Sequence, residues 1–342
     1  MSSAVHQIVF SSGSRARLWR ALQLVGVVAT AALLSGLMMW PKQTLAVLWN
    51  VVVPILPASF VLSPALWRNV CPLATLNTLS NGLGSRRALP PALGRAAYAL
   101  GILLLLVLVP ARRFLFNTNG PALAAVIVAV ALVALTLGAV FDLKAGFCNA
   151  ICPVLPVERL YGQRPLLSVE NPRCVECTQC SVRGCIDFTP TKSIAQVLGP
   201  KRRTSAWLGT PFGAFAAAFP GFITGYYTLA DGRLDSASHV YPHVAAWMAG
   251  SWMATAFFVT VFRLRVESAT TVLAVAAVGL YYWFAAPLVA TTLGAGSVGA
   301  TVIRLLAALL LAVWLARPRL VLRAGGARGR SFAAIGGRRR SP

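Results

Sequence analysis

A chain of 342 residues that is 57% hydrophobic and only 11% charged is not built for water; an ordinary soluble domain carries about 25% charged residues. Mean hydropathy is +0.72, so the length bounds a count of membrane spans more than a count of domains. The net charge of +23 would suit nucleic acid, but the basic residues are scattered between apolar runs and no nucleic-acid module is visible, so that class is set aside.

Residues 1–17 form a polar tail ending in Arg15 and Arg17, and residues 21–40 are almost wholly apolar. A run of about 20 residues, each rising about 1.5 Å, crosses the roughly 30 Å hydrocarbon layer. A signal peptide has a shorter core and a small-residue cleavage site, so the run reads as a retained span with Trp40 at an interface. A second span fits 45–66 and holds Pro54, Pro57 and Pro64. Prolines kink or break a span, and broken spans often line cavities, so this one is either a bent packing helix or the wall of a quinone pocket. Residues 67–95 read as a basic loop carrying Cys71, and a short third span covers 96–111, followed by Arg112, Arg113 and a turn at 117–121. The fourth span is 121–141.

Residues 142–205 are the one long stretch of mixed composition; Glu158, Glu170, Glu176 and Asp187 there are half of the eight acids. Spans five to eight fit 206–229, 244–262, 269–291 and 298–316, with a turn from Asp231 to His243, and the tail 317–342 is rich in Arg and Gly. The expected fold class is an all-α polytopic membrane protein of about eight transmembrane helices. Residues 18–141 carry helices 1–4, 206–316 carry helices 5–8, and 142–205 form a cytoplasmic ferredoxin-like iron–sulfur loop.

The loop's address follows from charge. With eight spans, both tails and the loops 67–95, 142–205 and 263–268 share one side, and 26 of the 31 Lys and Arg fall there. Four fall on the other side (Lys42, Arg112, Arg113 and Arg233), and Arg304 lies inside span eight. The positive-inside rule then places both termini and all seven cysteines in the cytoplasm, in a multi-pass protein of the bacterial plasma (inner) membrane. Only Arg112 and Arg113 clearly run against the rule.

Six of the seven cysteines fall within 38 residues. Cys148, three residues, then Cys152 and Pro153 come first; Cys174, Cys177, Cys180 and Cys185 follow as C-x2-C-x2-C-x4-C. Two consecutive C-x2-C steps put three sulfurs on one tight turn, as three corners of a cubane iron–sulfur cluster require. Structural zinc usually takes two C-x2-C pairs split by a longer loop, and Cys177 and Cys180 are too close for two knuckles. Disulfides suit an oxidising compartment. Cys174, Cys177 and Cys180 match the first three ligands of a bacterial ferredoxin motif, while Cys185 comes one residue late and lacks the following proline. The reading is one [4Fe–4S] cluster on Cys174, Cys177 and Cys180, with Cys152 or Cys185 as fourth ligand. A second cluster would take Cys71, Cys148, the cysteine left over and one non-cysteine ligand. Lys144, Arg173 and Arg183 would offset the negative charge of the thiolates.

Cys71 belongs to an internal repeat. WRNVCPLATL (67–76) aligns with CNAICPVLPV (148–157), with Trp67 where a cysteine would complete C-x3-C-P. Cys71 is then either part of a degenerate half-site or a lone buried thiol before a loop proline.

Paired Cys-Pro motifs on loops of a polytopic protein, followed by a ferredoxin-type run, resemble the membrane iron–sulfur proteins of the NapH/NosR type. The resemblance is carried by Cys71-Pro72, Cys148, Cys152-Pro153 and Cys174 to Cys185, roughly the central third of the chain. It implies an electron-transfer subunit linking the quinone pool to a respiratory reductase. The partners implied are membrane lipid, quinone or quinol, and a reductase subunit; the basic loops also fit an acidic carrier such as a ferredoxin. The chain departs from the pattern at Trp67, at Cys185, and in having one ferredoxin-like run where the family often has two. An iron–sulfur redox sensor, or a maturation factor for a membrane redox complex, is the alternative.

Other cofactors find little here. No span holds a histidine for haem, and no C-x-x-C-H is present. His239 and His243 are either ordinary turn residues or proton carriers at an outer quinol site. Arg304 either snorkels to the headgroups or serves a quinone.

Overall fold

The computed structural model describes residues 7–9, 14–80, 87, 89–141, 144–163, 165–170 and 204–326. Strand β1 (Gln7–Val9) pairs in parallel with β2 (Ser168–Glu170), and the other named elements are helical. Among the described residues, seven helices are long and apolar enough to cross a membrane.

The first crossing is α1 (Ser14–Met39), and the second returns through α2 (Pro41–Val47), a π-turn (Leu48–Val52) and α3 (Val53–Leu62). Pro54 offers no N–H, and the ladder widens just ahead of it. The bend is closed by a side chain: the Tyr282 hydroxyl accepts from the Ala58 N–H (3.1 Å) and donates to the Pro54 carbonyl (2.7 Å). Such outside partners make proline tolerable in a span.

Two helices, α4 (Pro64–Val70) and α5 (Pro72–Ser80), replace the front of the expected 67–95 loop. Each opens on a proline, at the helical position where a missing N–H costs nothing. The next crossing, α6 (Pro91–Ala111), is not short: it starts at Pro91 and carries the exposed Arg95 in its early turns. Then α7 (Gly120–Val140) returns, with the Asn119 side chain accepting from the Ala122 N–H at 3.0 Å. A π-turn (Phe147–Ile151) and α8 (Leu155–Tyr161) follow.

The expected fifth span is divided. Helix α9 (Thr204–Leu208) stops, and α10 (Pro211–Tyr227) restarts where Thr210 Oγ1 accepts from the Gly213 N–H at 3.0 Å and Pro211 takes the first turn. With 17 residues, α10 is shorter than the seven. Twelve of those residues are buried, so it is a core helix on all sides. It lies antiparallel to α11 (Ala237–Val261): Thr228 meets His243 at 3.0 Å, and the Ser251 hydroxyl donates to the Ala217 carbonyl at 2.7 Å. His239 and His243 therefore stand on a helix, not in the expected turn.

Helices α12 (Val266–Thr292) and α13 (Gly296–Gly326) complete the bundle. Between these two helices, Arg304 Nε and Nη2 both donate to the Trp283 carbonyl (3.2 and 2.8 Å), with the guanidinium 4.3 Å from the Trp283 ring centre. The main core joins α3, α8, α10 and α12 through residues such as Phe60, Tyr161, Phe212, Phe219 and Val278.

Candidate functional site

Both Cys-Pro pairs form the same backbone corner. Cys71 ends α4 with φ −54° and ψ 125°, and Cys152 ends the second π-turn with φ −56° and ψ 122°. The cause is the following proline, whose ring bars the preceding residue from the α region. The cysteine N–H still closes the turn behind it: Cys71 to the Trp67 carbonyl at 2.7 Å, and Cys152 to the Phe147 carbonyl at 3.0 Å. A second helix starts beyond each corner. The aligned segments are thus a structural repeat as well as a sequence repeat.

The repeat extends to what each corner packs against. A Cβ at Gly26 of α1 would lie 2.7 Å from the Val70 carbonyl oxygen; one at Gly101 of α6 would lie 2.8 Å from the Ile151 carbonyl oxygen. Val70 and Ile151 occupy equivalent places, just before each cysteine. Only glycine lets the backbones approach this closely.

These contacts fix the depth of the corners. Cys71, Cys148 and Cys152 pack in one cluster with Phe147, Ala74 and the α7 residues Val130, Ala134 and Leu137. Val130 is ten residues from either end of α7, or about 15 Å at the helical rise. Helix α5 climbs from Cys71 beside α7, with Asn77 Nδ2 donating to the Ala134 carbonyl at 2.7 Å. The two corners are therefore tips of helical hairpins that dip into the bundle from one face. Cys71, Cys148 and Cys152 thus stand at helix ends packed against α7 rather than on open loops. Irregular backbone at this depth survives because protein encloses it.

A buried polar network ties the hairpins together. Arg68 Nη2 donates to the Cys148 carbonyl and to Asn149 Oδ1, both at 2.7 Å. Arg68 Nε lies 3.6 Å from Glu158 Oε2, with both side chains 3% exposed. Lys144 Nζ donates to the Arg68 carbonyl at 3.1 Å. Arg68 and Asn149 are equivalent positions of the repeat, so the two copies bond through matching residues. Sequence reasoning counted Arg68 and Glu158 only as loop charges; the alignment that pairs Arg68 with Asn149 was the available signal.

Cys148 is buried, whereas Cys71 and Cys152 are partly exposed. Cys174, Cys177, Cys180 and Cys185 lie outside the described residues. Among the described residues, no group of three His, Cys, Asp or Glu side chains is arranged to hold a metal ion. Cys71, Cys148 and Cys152 are brought together as packed neighbours, and a cluster on them would need a ligand from elsewhere.

No protein-family model, curated protein or solved structure matches the chain.

Proposed function

We propose that the chain is a membrane-bound [4Fe–4S] protein that passes electrons between the quinone pool and a redox partner, either a ferredoxin or a reductase complex. The observation that carries the reading is the run Cys174, Cys177 and Cys180, whose spacing converges three sulfurs. The described thiols fit such a group in donor type. Of these, Cys152 suits the fourth ligand: it is partly exposed, whereas Cys148 is shut in. When bound, the cluster supplies one-electron exchange.

The chain's own part is placement. Cys152 would give up its Sγ proton on ligation. Arg68 and Lys144 hold the hairpins in register and set positive charge near the thiolates. The apolar packing of Phe147, Leu137 and Ile151 keeps water from the tips. Depth favours a quinone, since a ligand at the hairpin tip stands level with the middle of α7. The charge count favours a cytoplasmic origin for both hairpins.

The test is a potentiometric EPR titration of anaerobically purified protein, with iron and sulfide measured on the same sample. One cubane signal with about four irons is expected, lost in Cys177→Ser. Bound zinc without an EPR signal, or an unchanged signal in Cys177→Ser, overturns the reading. Cys152→Ser set beside Cys185→Ser identifies the fourth ligand.

A further inference from the structure

Arg112 and Arg113, the pair that runs against the charge rule, follow directly on α6 at the face opposite the hairpins. Arg112 Nη1 and Arg113 Nη1 both donate to a single oxygen, Asp231 Oδ1, at 2.7 Å each. Arg113 is 8% exposed, and its guanidinium lies 4.3 Å from the Tyr226 ring centre. The Arg112 guanidinium lies 6.0 Å from the Trp49 ring centre. Nε of each arginine is buried without a hydrogen-bond partner. The backbone beneath is fixed: the Gly232 N–H donates to the Arg113 carbonyl at 2.8 Å, and Asn117 Nδ2 donates to the Arg113 and Gly232 carbonyls at 3.1 and 3.0 Å.

Two guanidiniums against one carboxylate leave a positive charge at the edge of the bilayer. Holding an uncompensated charge there is costly unless an anion answers it. The surroundings indicate which anion. Leu100, Leu103 and Val107 are exposed on α6, spaced about a turn apart in the turns that precede the arginines. The Tyr241 hydroxyl donates to the Val107 carbonyl at 3.0 Å, and its ring packs edge-on against Phe114. Aromatic residues of this kind mark the headgroup level. A phosphate fits the chemistry, because guanidinium N–H groups match its oxygens.

We propose that the Arg112–Arg113–Asp231 knot seats the phosphate of an anionic phospholipid, whose acyl chain lies along Leu100, Leu103 and Val107. A free phosphate shares the headgroup chemistry but has nothing to lay on that apolar strip.

The test is native mass spectrometry of the full chain from neutral detergent, with phosphatidylglycerol, phosphatidylcholine or inorganic phosphate added. Retention of phosphatidylglycerol over phosphatidylcholine is expected. Arg112→Gln should lower it about fivefold, the effect of one basic charge at a membrane surface. Asp231→Asn removes the competing carboxylate and should raise retention by a similar factor, a gain that misfolding does not mimic. Equal retention by Arg112→Gln and the parent, or a fall with Asp231→Asn, overturns the proposal. Displacement of the lipid by an equal concentration of inorganic phosphate assigns the knot to a free anion and overturns the lipid seat.

Discussion

Arg304 and Pro287 form a compensated pair. Pro287 stands four residues after Trp283 and has no N–H for the Trp283 carbonyl, and Arg304 of the neighbouring helix supplies two donors to that oxygen, at 3.2 and 2.8 Å. A charge inside a span thus completes a broken hydrogen-bond ladder.

A prediction follows from the pairing. Arg304→Leu should destabilise the protein by about 1–3 kcal/mol, the cost of leaving the Trp283 carbonyl without a donor within a span. Pro287→Ala restores a backbone donor, so the double variant should recover about 1 kcal/mol of that loss. Thermal unfolding in detergent reads both. Strict additivity of the two substitutions would sink the account.

The link between hairpins gives a second prediction. Arg68 and Glu158 are each 3% exposed. Removing one partner of a buried pair costs about 3–5 kcal/mol, because the other charge is stranded. Arg68→Met should therefore be severe, and Arg68→Met with Glu158→Gln markedly milder. Equal stability of the single and double variants would show that the pairing does not matter.

The third concerns the glycine under the second corner. A Cβ at Gly101 would meet the Ile151 carbonyl oxygen at 2.8 Å and the Cys152 carbonyl oxygen at 3.2 Å. Gly101→Ala should then cost about 1–3 kcal/mol and shift the corner, read as a lower unfolding temperature and a changed maleimide labelling rate at Cys152. Gly250→Ala is the control, since a Cβ there meets nothing within 4 Å. A matching loss in both variants would mean that mid-helix glycine itself, not the close approach, is at stake.

Much of this fold was legible as apolar runs. Spans such as 121–141 stood out because a bilayer demands unbroken hydrophobic length. Prolines misled in one direction. Pro64 read as a kink in the second span and Pro72 as a loop proline, yet each opens a helix, α4 and α5. Pro211 did the reverse and divided a span that hydropathy joined. Arg95 made the third span look short, because composition does not tell an outward arginine from an inward one. At the site, the Cys-Pro repeat could be read directly. The contact between Arg68 and Asn149 was only hinted at: the alignment pairs the two positions, but that they touch depends on how two hairpins meet in three dimensions. The run from Cys174 to Cys185 lies outside the described residues, so its reading rests on spacing alone.

The repeat also explains why both cysteine tips enter from one face. Each copy crosses twice before it dips: α1 with α2–α3 in the first, α6 with α7 in the second. An even number of crossings returns the chain to the face it left. A copied unit therefore keeps its orientation. Had the copied unit crossed an odd number of times, Cys71 and Cys152 would point in from opposite sides, and Arg68 could not reach Asn149. Parity of the duplicated unit, settled before any side chain packs, is what brings these thiols to one address.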